Sequence, residues 1–188
     1  MIKRKLALSA GHSNKQGRDN GANYNNRIEG VEAAKFRSDL VKALEKRKIV
    51  ANVDIDSNIT FETVKLFKEY FGEHDILIDI HFNTSTSPTA SGTEVIIPTK
   101  YSTMEYAIGI DICNTISTTL GIPNRGVKRE DETPRGKLAF MSIDAETILI
   151  EMCFISNKSD MARYDTKYET LINKLADLLT NYKSIRTL

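Results

Sequence analysis

The stretch Ile76-Leu-Ile-Asp-Ile-His-Phe82 constrains this chain more than any other segment. Successive side chains of a strand point to opposite faces, so a strand that is apolar on both must be covered on both. The middle of a parallel sheet flanked by helices meets that requirement. Segments 5–9, 50–55, 93–97 and 147–153 also read as strands, and 138–141 as a short one. Helices are expected over 27–48, 61–71, 103–120 and 168–182. The first rests on Val31, Ala34, Phe36, Leu40, Val41 and Leu44, which recur at roughly helical spacing, with Lys and Arg gathered in the last turn. Segments 13–26 and 123–137 lack apolar periodicity and read as loops. Two periods alternating in this order predict an α/β fold with a mostly parallel sheet, and 188 residues suit a single domain over 1–188.

Charge and composition exclude several functions. With 26 basic and 25 acidic side chains, the chain lacks the basic excess of a nucleic-acid binder. No run of ~18 apolar residues offers a membrane span. Cys113 and Cys153 have no partners at metal-binding spacing and are expected to be buried free thiols. Residues 1–10 imitate a secretory leader, but their apolar core is about five residues where roughly 7 to 15 are needed. No signal peptide is therefore assigned. A protein made in the cytoplasm that acts outside it needs another route of release, unless a leader has been removed.

Ligands of open α/β sheets bind beyond the carboxyl ends of the strands. His12 follows the first strand, His81 lies near the end of the central one, and Glu151 closes the apolar run Thr147-Ile-Leu-Ile150. Glu29 and Glu32 both lie near the start of the long helix, at the same edge, where the helix dipole favours either carboxylate. Two imidazoles and one carboxylate form the donor set of a catalytic zinc ion, which keeps its fourth position for water. Glu151 is then the candidate general base, because an unpaired buried carboxylate costs several kcal/mol and needs a partner or a task. Asp79 shares a strand face with His81 and is placed to accept its second ring proton and orient it.

These residues stand in a familiar order. Leu-Ser-Ala-Gly-His12-Ser, the acidic helix start at Glu29, Ile-Asp-Ile-His81-Phe-Asn83, Gly92-Thr-Glu-Val, Asn124-Arg-Gly-Val-Lys128 and Ile-Leu-Ile-Glu151-Met-Cys-Phe-Ile-Ser-Asn157 resemble the zinc-dependent N-acetylmuramoyl-L-alanine amidases of the type 3 family, which include cell-wall hydrolases and phage endolysin domains. The similarity runs from about residue 4 to about residue 182. It implies a twisted sheet of about six strands flanked by helices. It implies zinc bound by His12, Glu29 (in preference to Glu32) and His81, with Glu151 catalytic. Asn83 and the Asn124, Arg125 and Gly126 loop match stretches that border the substrate cleft. Ser13 and Phe82 depart from the family pattern, as does Lys48, which stands where a glycine usually ends the helix.

The activity so implied is hydrolysis of the amide between N-acetylmuramic acid and the L-alanine of the peptidoglycan stem peptide, at the bacterial cell wall. No separate cell-wall-binding domain is recognised, and an endolysin released by another protein fits the lack of a leader. The rival readings are a zinc peptidase cutting within the stem peptide and a catalytically inactive wall-binding module.

Overall fold

A computed structural model describes residues 4–87 and 89–184. The strands are β1 (Leu6–Ala10), β2 (Asn23–Tyr24), β3 (Arg27–Ile28), β4 (Asn52–Val53), β5 (Ile76–Asn83), β6 (Thr93–Ile97), β7 (Asn124–Arg129) and β8 (Glu146–Phe154). The α-helices are α1 (Glu29–Lys46), α2 (Thr60–Tyr70), α3 (Thr103–Leu120) and α4 (Lys158–Ser184). Six strands form one sheet in the order β4, β1, β5, β8, β6, β7, while β2 and β3 make a small antiparallel ribbon. β4, β1, β5 and β8 run parallel, β6 is antiparallel to β8, and β7 is parallel to β6. The mostly parallel α/β sheet is therefore present, with the two-faced apolar strand at its centre.

Strand parity divides the core. Leu6, Leu8, Ile76, Ile78, Ile80, Ile148 and Ile150 point to the face covered by α1, α3 and α4 and join one large apolar cluster. Ala7 and Leu77 point to the other face, where α2 and a 3-10 turn at Ala139–Ser142 supply Val64, Phe67 and Phe140. Toward the carboxyl ends of β1, β5 and β8 this second face turns polar. Ser9 pairs in register with Asp79, and His81 with Glu151, which also faces Glu94 of β6. Strand alternation alone thus lines polar side chains up across four neighbouring strands.

Several sequence expectations are corrected. Segment 123–137 is not all loop: Asn124–Arg129 is the parallel edge strand β7, because its hydrogen bonds to β6 need no apolar alternation. Segment 138–141 forms a 3-10 turn and not a strand. Only Asn52 and Val53 of the segment 50–55 are paired, at the exposed edge. Val31 is 46% exposed, since the buried stripe of α1 runs through Ala33, Ala34, Phe36, Leu40, Ala43 and Leu44. Helix α4 starts at Lys158, ten residues before the expected 168. The leader-like stretch ends in β1, all five residues of which are buried, and residues 1–3 lie outside the described residues. Among the described residues no helix is long and apolar enough to cross a membrane. Cys113 and Cys153 are buried and free, as expected.

Lys48 explains its own departure from the glycine pattern. It has φ +61°, its N–H donates to the Glu45 carbonyl, and the Ile49 N–H donates to the Leu44 carbonyl. This is the doubly bonded left-handed helix end in which glycine is preferred, because a Cβ there crowds the following carbonyl. Lys48→Gly is expected to stabilise the fold by about 1 kcal/mol, visible as a higher urea midpoint at unchanged slope. A lowered midpoint would show that the lysine side chain makes a compensating contact.

Candidate metal centre

His12 stands two residues beyond β1 on a braced turn. The Gly11 N–H donates to the Ile80 carbonyl at 3.1 Å, and the Thr60 hydroxyl donates to the Gly11 carbonyl at 2.7 Å. The loop that follows folds back on itself, with the Ser13 N–H donating to the Asp19 carbonyl and the Asn20 amide to the Ser13 carbonyl. The loop thereby carries Asp19 to the imidazole: its Oδ1 lies 3.1 Å from His12 Nδ1, leaving Nε2 to face inward, 3.6 Å from Glu29 Oε1.

His81 has the mirrored arrangement. Its Nε2 lies 3.1 Å from Asp79 Oδ2, and its Nδ1 faces inward, 3.0 Å from Glu29 Oε1. Asp79 is fixed in turn by the Ser9 hydroxyl, which donates to its Oδ1 at 2.6 Å. Glu29 opens α1 and accepts from the backbone N–H of Ala22 (2.8 Å) and of Phe82 (3.1 Å). Glu32 turns away and pairs with Arg27 at 3.0 Å. The helix start thus delivers one of its two acids to the histidines.

One donor atom each from His12, Glu29 and His81 lies within 4.8 Å of the others, and all three residues are buried. Two imidazole nitrogens and a carboxylate, each imidazole backed by an acid, suit a zinc ion. The backbone leaves space for this set only because two positions are glycine. A Cβ on Gly11 would come within 1.8 Å of His81 Nε2, and one on Gly21, at φ +70°, within 2.4 Å of Glu29 Oε2. The residues therefore fit a bound divalent cation.

The charges are strongly coupled. Burial pushes the Glu29 carboxyl up, but the hydrogen bond from His81 and the charges of both histidines outweigh it and hold the group at about 2. Burial pushes His81 down, yet Asp79 and Glu29 raise it well above the usual imidazole range. Glu151 moves the other way. Burial drives its carboxyl up to about 8, against the pull of His81 and with help from Glu29 and Glu94. Its Oε2 is buried and has no hydrogen-bond partner among the described residues. A buried carboxylate oxygen without a partner, beside three residues that could hold a metal ion, makes Glu151 a candidate for a functional role.

These residues line one cleft of about 540 Å³, whose apolar lining includes Ile96, Leu138 and Leu149; the Phe82 ring packs against Tyr164 in the core on the opposite face of the sheet. Asn83 lines the cleft too, although its amide already donates to Glu94 at 3.0 Å and its oxygen accepts from the Thr84 N–H. Arg125 and Lys128 both bind Glu94 Oε2 at 2.6 Å. Asn124 is tied to Asn114 and to the Gly126 N–H, and Gly126 has φ +83°. Sequence reasoning did not single out three residues. Asp19 belongs to an aperiodic loop, Glu94 enters the site because β6 runs antiparallel, and Arg135 belongs to the loop after β7. Spacing marks none of them; only the place of an acid immediately before the apolar run Val95–Ile97 carried a signal for Glu94.

A family model described as N-acetylmuramoyl-L-alanine amidase matches residues 6–181. No curated protein gives a significant sequence match. Among solved structures, Cwp6 from Clostridium difficile superposes with a TM-score of 0.79 at 20% identity over 96% of this chain, which spans 29% of that chain. The catalytic domain of CwlV, an N-acetylmuramoyl-L-alanine amidase from Bacillus (Paenibacillus) polymyxa var. colistinus, gives 0.75 at 19% identity, covering 97% of this chain and 99% of that one. The catalytic domain of the CD27L endolysin targeting Clostridia difficile gives 0.72 at 21%, over 98% and 99%. At such identities the likeness is one of fold.

Proposed function

Since this chain belongs to the N-acetylmuramoyl-L-alanine amidase family, we propose that it cleaves the amide between the lactyl group of N-acetylmuramic acid and the first L-alanine of the stem peptide, using a zinc ion held by His12, Glu29 and His81. The observation that carries this reading is the pairing of three buried, mutually close donors with the Oε2 of Glu151, which has no partner among the described residues, in one cleft.

The chemistry such a cation supplies is polarisation of the amide carbonyl and a lowered pKa for the water beside it. Everything else falls to the chain. Asp19 and Asp79 hold the two imidazoles with His12 Nε2 and His81 Nδ1 inward. Ile96, Leu138 and Leu149 keep one side of the cleft apolar and limit competing water. Glu151 Oε2 accepts the proton of the attacking water and returns it to the amine nitrogen as the carbon–nitrogen bond breaks. With the pull of His81 and Arg135 already acting on it, the Glu151 carboxyl still stands at about 8 and holds its proton at neutral pH. A divalent cation bound beside it would act in the same sense as those two charges and free it to serve as a base.

The reading is tested by digesting purified peptidoglycan and identifying the products by mass spectrometry. Release of whole stem peptides with a free L-alanine amine, from glycan that stays intact, is the expected result. Fragments cut within the stem would establish the peptidase instead, and binding without release the inactive wall-binding module. A phage origin is a further part of the proposal, supported by the fold shared with the endolysin domain.

The choice of Glu29 as donor has its own test. Glu29→Ala is expected to lose zinc and activity, whereas Glu32→Ala gives up only a half-exposed ion pair with Arg27, worth about 1 kcal/mol or less, and keeps both. Zinc content of the two purified variants decides the matter, and the reverse pattern would move the ligand by one helical turn.

A further inference from the structure

Among the described residues lining the cleft, one permanent cation is left without a partner, and the proposed substrate is anionic. Of the side chains lining it, Asp19, Glu29, Glu94, Glu132 and Glu151 are acids; of the bases, His12 and His81 belong to the proposed donor set, and Lys128 and Arg135 stand outside it. Lys128 is already spent on Glu94 at 2.6 Å. Arg135 is exposed and makes no ion pair or hydrogen bond among the described residues. Stem peptides carry carboxylates, and a row of acids repels them unless a cation compensates.

The fold holds Arg135 in place over the cleft. It lies in the loop 130–138, whose two ends meet at Glu130, a carboxylate only 8% exposed. Glu130 Oε2 accepts from the Leu138 N–H at 2.7 Å and Oε1 from the Thr99 N–H and hydroxyl, both at 3.4 Å. Pro134 precedes the arginine and Gly136, at φ +65°, turns the chain immediately after it. The result is a short clamped loop that carries a free guanidinium to the rim.

We propose that Arg135 is a specificity-determining residue that binds a carboxylate of the peptide leaving group, on the residue that follows L-alanine. This assignment rests on the amidase reading above and names the substrate feature the cleft selects. The rim position decides between two tasks for the guanidinium. A charge open to water stabilises little at the buried scissile bond, where Glu151 and the metal-binding donors already stand. It does discriminate a fixed carboxylate from its neutral amide, since a planar fork matches that group in two parallel hydrogen bonds. Arg135 lines the same cleft as Glu151, His12 and His81.

The test uses two preparations of uncross-linked peptidoglycan that differ only in whether the α-carboxyl of the residue after L-alanine is free or is a primary carboxamide. Stem-peptide release is followed with the zinc-loaded full chain. The wild type is expected to prefer the carboxylate form by roughly tenfold in kcat/KM, the worth of one charge-assisted contact. Arg135→Gln is expected to bring that ratio to near one, with the loss on the carboxylate form lying in KM, and Arg135→Lys to restore part of it. An equal ratio in the wild type and in Arg135→Gln, or a wild-type preference for the carboxamide, would overturn the assignment. Release from neither preparation by the wild type would overturn the amidase reading, and the assignment with it.

Discussion

Purified His81→Ala protein is expected to lose most of its zinc on dialysis against a chelator, while the wild type retains about one ion per chain. His81 is one of the three proposed donors, and its Nδ1 faces Glu29 while its other nitrogen contacts Asp79. Two remaining donors rarely hold zinc against competition. Asp79→Asn offers a graded comparison, since weakening the partner behind a ligand costs roughly 10- to 100-fold in affinity and removing the ligand costs more. The alanine variant should still fold. Asp79 keeps the Ser9 hydroxyl, and Glu29 keeps the Ala22 and Phe82 N–H groups, so neither buried acid is stranded. Unchanged circular dichroism together with full zinc occupancy would remove His81 from the donor set.

The second large effect is expected at Glu151. Glutamine preserves the shape of the side chain but accepts no proton from water, so Glu151→Gln should bind zinc normally and lose about 10² to 10⁴ in turnover. The same substitution should not cost stability. In chelator-treated protein the folded state raises the Glu151 carboxyl to about 8, above the ordinary value of 4.5, because burial disfavours the charge. Such a group binds protons more tightly folded than unfolded, so its ionisation erodes stability as pH rises from near 4.5 toward 8. Removing the ionisable group should leave the melting temperature at pH 7 equal or higher. Near-normal release of stem peptides by Glu151→Gln would remove it from the reaction and turn attention to Asp79.

The parts of this site legible in the sequence are those that obey a period. Alternation along Ile76–Phe82 puts Asp79 and His81 on one face, and the structure joins them at 3.1 Å. The apolar run before Glu151 marks an acid without an evident partner, and its Oε2 has none among the described residues. Glu29 and Glu32 could not be separated by periodicity, because both sit in the first turn of one helix; the family resemblance favoured Glu29. Asp19 and Arg135 escaped because loop conformation is set by turns and by long-range hydrogen bonds such as those of Glu130, which leave no repeat in the chain. The antiparallel sense of β6 escaped for a related reason. Strand direction is decided by which neighbour a strand meets, and Thr93–Ile97 reads the same in either orientation.

That reversal of β6 partitions the molecule. The three proposed zinc donors and the acids that contact their imidazoles all lie between residues 12 and 81. The opposite wall, with Glu94, Lys128 and Arg135, comes from the continuous stretch 93–138. Grafting this stretch from a relative is therefore a way to exchange one recognition surface for another while every metal donor stays in its original setting. Inheritance can use the same seam: recombination near residues 84–92 and 139–145 would trade cell-wall preferences between lineages without rebuilding the catalyst.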